Sequence, residues 1–275
     1  MKADNDLFLD IKKRSFQELL DLALDENDVD KYWTIVAEVH SCGCQDVFDS
    51  IKEYSQSNYS TERMLAADVL GQLRNGKCKL FHDESVMILL HLLKDVDDKV
   101  VASAAFSLGH RHDVRAINPL LLLINHENSW VREDVVTGLS NHEDTNAING
   151  LIQLSRDSDF NVQNWAVFGL ASLCKKDSEK IRSALFTQLQ NSDDEIRGEA
   201  MIGLARRKDG RVKNSIVKEL NNSKDGYWVL DAVIEMPDKE YINPLKELIQ
   251  SMIEKKEFER HIEDANNALH LCLNL

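Results

Sequence analysis

Positive charge is what this chain lacks most: 33 Lys and Arg stand against 47 Asp and Glu, a net charge of −14. Neutralisation of phosphates by Lys and Arg supplies most of the affinity for nucleic acid, so this balance works against a nucleic-acid partner. It works equally against an anionic membrane surface. No run of 18 or more apolar residues occurs, which argues against a helical membrane span. Only 3 Pro and 11 Gly are present, leaving little room for long irregular loops or Pro-rich linkers. The five cysteines, Cys42, Cys44, Cys78, Cys174 and Cys272, are odd in number and follow no disulfide framework. Cys42 and Cys44 are too close for an easy bridge and lack a second Cys/His pair nearby for zinc. Reduced thiols in a reducing compartment are expected. The sequence after Met1 is acidic and amphipathic, without the charged and apolar regions of a signal peptide, so a cytoplasmic protein is expected. The acid surplus suits a basic protein partner, or simply keeps a long surface soluble.

What the chain does have is a recurring pattern. A polar turn is followed by an aliphatic residue or Trp, often Arg, then a small residue, then Leu three or four positions later. The central residues are Ile35, Ala66, Ala104, Val135, Ala166, Ala200 and Ala232, spaced 31, 38, 31, 31, 34 and 32 residues apart. Self-similarity at such a period signals stacked repeats, each burying its apolar face only against its neighbours.

Within the best copies, Val131 to Leu139, Val162 to Leu170 and Ile196 to Leu204, apolar residues fall on one helical face. The turns 126–129, 157–159 and 192–194 supply Asn, Ser and Asp to cap those helices. Gly near a helix centre costs helix propensity, which close approach of a neighbouring helix offsets. Shorter apolar helices are expected at 116–124, 147–154, 181–189, 212–220 and 242–248, with Pro119 and Pro244 at their starts. The long 38-residue interval is explained by an extended turn at 74–84. The expected fold is all-α: an α-solenoid of about seven helix pairs in one domain. Residues 1–28 and 251–275 are its capping segments and 29–250 its repeats. Capping helices are expected at 6–25 and 257–275.

The motif polar-Asp-x-x-Val-Arg-x-x-Ala-x-x-x-Leu-Gly, clearest from Ser192 to Leu220 and close to it from Asp98 to Ile124, resembles the HEAT-like repeats of the phycobilisome-lyase type. The likeness spans roughly residues 30–250. The stretch Trp165 to Leu170, continued by Gly203 to Arg207, also looks like small bacterial HEAT-repeat proteins, some of them suspected immunity or adaptor proteins. The resemblance implies the fold. It leaves function open among scaffolds, lyase subunits, one hydroxylase family and DNA glycosylases.

The resemblance also permits a test for catalysis. The deoxyhypusine hydroxylase of this fold carries iron-binding His-Glu pairs just before the central small residue of each leading helix. The matching pairs here, from Met64-Leu65 to Leu230-Asp231, contain no His, and His126-Glu127 and His142-Glu143 fall in turns. No cofactor, metal or catalytic group is therefore expected. His110, Arg111 and His112, with Asn141, His142 and Glu143, form either a weak metal set or polar helix ends suited to the helix dipole.

By the same resemblance, the two positions before each central residue face the inner side of the array. That column reads Glu133, Asp134, Asn164, Trp165, Glu199 and Asp231, with Phe168 one turn on and Arg206 near the helix end. An aromatic ringed by charge suits protein binding. Trp165 either anchors a partner or fills a gap between repeats, and Asp134, Glu199 and Asp231 are either binding groups or plain solvated acids. Trp228 takes the aliphatic core position and is expected to pack. Arg132 and Arg197 are expected to pair with acids of neighbouring turns. The function expected is a non-catalytic scaffold, an inhibitor, immunity or adaptor protein holding a basic protein. The alternatives are a lyase subunit of the phycobilisome-lyase type and, third, a nucleic-acid reader.

Overall fold

A computed structural model describes residues 11–42, 45–75, 78–140, 142–222 and 227–275. The chain divides into two compact units, residues 1–142 and 143–275. Each is an α-solenoid: a run of helical hairpins whose leading helices pack on one another and whose trailing helices form a second row.

In the first unit, α1 (Phe16–Asp25) precedes the leading helices α2 (Val29–Cys42), α4 (Ser60–Gln72), α6 (Asp98–Arg111) and α8 (Ser129–Leu139). The trailing helices are α3 (Gln45–Tyr54), α5 (His82–Leu92) and the short α7 (Ile117–Leu121). In the second unit the trailing helices are α9 (Thr145–Leu154), α11 (Glu179–Gln188), α13 (Lys213–Asn222) and α15 (Ile242–Lys255). Its leading helices are α10 (Phe160–Phe168), α12 (Asp194–Arg206) and α14 (Tyr227–Glu235), and α16 (Glu259–Leu273) closes the chain.

The seven central residues named from the sequence each lie on a leading helix and are at most 1% exposed. Five of the seven are alanines, which let neighbouring leading helices approach closely, while burial of Ile35 and Val135 contributes about 1.5–3 kcal/mol each. The polar turns act as expected. Asn128, Asp159 and Asp193 accept hydrogen bonds from the backbone N–H groups that open α8, α10 and α12. Asp113, Asp209 and Asp238 cap single 3₁₀ turns that lead into α7, α13 and α15. Close approach is equally plain: a β-carbon on Gly138 would sit 2.8 Å from the Ala105 carbonyl of the preceding leading helix.

Several expectations need correction. The helix expected over 6–25 does not run through 12–15. Ser15 and Glu18 form a capping box that starts α1 at Phe16; residues 6–10 lie outside the described residues. The helix expected to reach Ile124 ends at Leu121, in a turn. The 74–84 segment holds a two-residue antiparallel ladder, Arg74–Asn75 with Cys78–Lys79; Gly76 and Lys77 fall outside the described residues. After Phe168, α10 widens into a π-helical turn, Gly169–Leu173. Arg132 donates to the carbonyls of His126 and Glu127, and Arg197 to those of Asn191 and Ser192, so both clamp the turn before their own helix. Arg197 also meets Asp194 and Glu219, and Arg63, at the equivalent position, pairs with Asp95 of the next turn.

Candidate functional site

The π-helical turn after α10 sets the geometry of the site in the second unit. Trp165 stands 49% exposed on α10, its ring edge-on to Phe168 at 5.8 Å. It is a surface residue, not a filler between repeats. One turn on, Ser172 donates to Glu199 on α12 at 3.1 Å, and Arg206 donates to the Ser172 hydroxyl at 2.9 Å. Arg206 also donates to Glu235 on α14 at 2.9 Å. Ser172 therefore links the carboxylate and the guanidinium. Glu199 is nearly buried, and that burial pushes its carboxyl above the usual range. Asp231 is exposed at its edge and is pushed up as well, by partial desolvation, with Arg206 pulling the other way. Asn164 is half-buried, and its Oδ1 has no hydrogen-bond partner among the described residues.

The remaining two site residues, Glu133 and Asp134, lie half-buried on α8 of the first unit. Burial raises Asp134 from 3.8 to about 7, helped by the negative charges of Glu133 and Asp68. Asp68 is the residue the sequence column missed. It sits 3% exposed on α4, accepts a hydrogen bond from the Tyr32 hydroxyl at 2.5 Å and another from Ser103, and is raised by burial to about 6. Next to it run the rings of Tyr32 and Trp33 (5.5 Å), Trp33 and Phe106 (5.8 Å), and Phe106 and His110 (4.7 Å). The signal was available. Asp68, Phe106 and Phe168 all lie two residues after a central residue, and only Phe168 was read that way.

The end 110–112 is a polar helix C-terminus, with His110 and Arg111 in the last turn of α6 and His112 at its C-cap. Arg111 is buried and donates to the carbonyls of Leu70 and Leu80 and to the Ser85 hydroxyl. The imidazoles of His112 and His142 stack at 4.5 Å. Asn141 lies outside the described residues. Among the described residues, His82, Asp83 and Asp113 bring three possible metal ligands within 4.8 Å, but Arg115 already donates to both carboxylates. Cys174 and Cys272 are buried free thiols. No described helix is long and apolar enough to cross a membrane.

Trp228 departs from its expected role. The equivalent residues Val131, Val162 and Ile196 are fully buried, yet Trp228 is 40% exposed, lying over Gly198.

Comparison with known proteins agrees with this architecture. The model of HEAT repeats matches residues 85–171 and 148–237. Protein YibA of Escherichia coli K12 is 28% identical over 265 residues, covering 90% of this chain and 93% of that one. An X-ray structure of the E. coli YibA protein superposes with a TM-score of 0.74 at 26% identity, covering 97% of this chain and 96% of that one. A chain from the structure of Kap95p with RanGDP reaches a TM-score of 0.61 at 14% identity, over 89% of this chain and 38% of that one; this likeness is one of fold.

Proposed function

Since the chain belongs to the HEAT-repeat family, we propose that it is a non-catalytic protein-binding scaffold whose leading helices hold a basic protein on an acidic face. The role is that of an inhibitor, immunity or adaptor protein, working in the cytoplasm without a cofactor. One observation carries the reading. In both units the leading helices hold acids that burial desolvates: Asp68, beside Tyr32 and Trp33, with Asp134 in the first, and Glu199, in the unit that carries Trp165 and Phe168, with Asp231 partly so in the second. Desolvated acids cost stability in the free protein, and such a cost is common where a surface is kept for function. A basic partner offsets it by supplying the opposite charge, and steers onto an acidic surface quickly. Glu133 belongs to the proposed surface of the first unit, and Asn164 and Arg206 to that of the second, with Arg206 orienting Glu235 and Ser172.

The test is affinity capture from the native host, followed by titration of the recovered partner against wild type and a Trp165→Ala/Glu199→Gln variant. A basic partner, bound more weakly by the variant and at high salt, supports the reading. Recovery of acidic proteins alone, or affinity unchanged by both substitutions, refutes it.

A further inference from the structure

The first unit contains a cavity of about 500 Å³ that the sequence did not foretell. It opens between the α1–α2 loop and helices α2, α4 and α6. Its volume lies within the about 300–1,000 Å³ of ordinary ligand sites. Tyr32 and Trp33 form an aromatic wall, Met64 and Leu65 an apolar one, and Asp68 and Ser103 line the interior. Glu26 and Asp28 also line it, with Lys99 as the cation among the lining residues. Asp68 receives its hydrogen bonds from two neutral hydroxyls, Tyr32 and Ser103, so the desolvated carboxylate meets no cation through those bonds. A negative floor beneath aromatic faces is the arrangement that attracts an organic cation, through charge and through the ring quadrupole.

We propose that this cavity, framed by Tyr32, Trp33, Met64, Asp68 and Ser103, receives one lysine or arginine side chain of the bound protein. The inference rests on the reading of the chain as a binder of a basic protein and names the chemistry by which that partner is gripped. The alkyl stem lies along Met64 and Leu65, the cationic head meets Asp68, and Trp33 closes over it. Lys99, of the same sign as the guest, opposes entry.

The test uses the whole protein, labelled with ¹⁵N, and needs no partner. Nα-acetyl-lysine-N-methylamide, its arginine counterpart and the uncharged norleucine analogue are titrated while the signals of the Trp33 indole and the Ser103 amide are followed. Both cationic probes are expected to shift these signals saturably and the norleucine probe is not. Asp68→Asn weakens the cationic probes about tenfold or more, and Lys99→Met tightens them. Should Asp68→Asn fail to fold, Trp33→Leu, read at Ser103, serves in its place. Equal response to norleucine, no response at either signal, or cation affinity unchanged in both Asp68→Asn and Trp33→Leu overturns the proposal. Failure of host capture with a working probe overturns the proposed function alone; a captured partner indifferent to Asp68→Asn overturns the cavity alone.

Discussion

Gly198 lies directly beneath Trp228. A β-carbon at 198 would come within 2.5 Å of the Trp228 Cβ and 2.7 Å of its Cγ. Those atoms sit at the root of the side chain, so a rotamer change cannot clear them and α14 itself must shift. Alanine improves helix propensity by about 1 kcal/mol, whereas overpacking costs about 1–3 kcal/mol. Gly198→Ala is therefore expected to destabilise by up to about 2 kcal/mol in urea unfolding. Gly210, with nothing within 4 Å of its would-be β-carbon, is the control: Gly210→Ala should be neutral or slightly stabilising.

The same pair shows what a sequence can and cannot disclose. The seven buried centres were legible because helical periodicity and repeat spacing both mark them. Trp228 sits in the register of Val131, Val162 and Ile196, so pattern alone places it in the core. The structure turns it half outward, because indole is too large for a slot sized for valine or isoleucine. Asp68 escaped notice for another reason: its register, shared with Phe106 and Phe168, marks the position, but only the fold brings Tyr32 and Ser103 to its carboxylate. The break before Ser15 was legible in its Ser-x-x-Glu spacing but was outweighed by the apolar set on either side. Nothing in the residues 169–173 announces a π-helical turn, though that turn carries Ser172.

Asp134 makes a pH-dependent contribution whose sign can be worked out. Its carboxyl is raised from 3.8 to about 7 in the folded protein. Between about pH 4 and pH 7 the folded form therefore keeps a proton that the unfolded chain has released. Stability from this group is fully present below pH 4 and is lost as pH rises to 7. The ceiling is about 4 kcal/mol, and solvent screening of a half-buried group lowers the expected value to about 1–2 kcal/mol. Asp134→Asn should stabilise the protein increasingly from pH 4 to 7 and by a constant amount above. The difference between variant and wild type is the quantity to plot. His40, held down to about 4 by burial, slopes the opposite way below pH 6.5 and cancels in that difference.

Arg111 and Arg207 occupy equivalent places seven residues past their repeat centres, and each reaches the preceding leading helix. Arg111 donates to the Leu70 carbonyl at 2.6 Å, and Arg207 to the Leu170 carbonyl at 2.8 Å. Arg207 also binds the Gly203 and Cys174 carbonyls, tying down the end of the π-helical turn. Burial pushes both guanidinium groups downward, Arg111 to about 10, yet each stays charged at neutral pH. Lysine cannot reproduce this fork, and carbonyls left without a donor are costly. Arg111→Lys and Arg207→Lys should each destabilise by about 2–4 kcal/mol in urea unfolding, and a loss below about 0.5 kcal/mol would remove the role assigned to them.

Arg115 decides the fate of the His82, Asp83 and Asp113 cluster. His82 lies 3.0 Å from Asp113, and Arg115 bridges both aspartates at 2.7 Å. The paired guanidinium holds the Asp113 carboxyl well below its ordinary range, and a cation already sits where a metal would have to bind. Zinc at low stoichiometry should therefore leave this site in the wild-type protein empty. Arg115→Ala removes the competing charge but keeps one imidazole and two carboxylates, a competent zinc set. Zinc is expected to raise the melting temperature of Arg115→Ala by about 2–4 °C, reversibly with chelator, through binding to the folded state. Adding His82→Ala should abolish that response. If wild type and Arg115→Ala respond alike, or the response survives loss of His82, the thiols or other histidines bind the metal and Arg115 is not the guard.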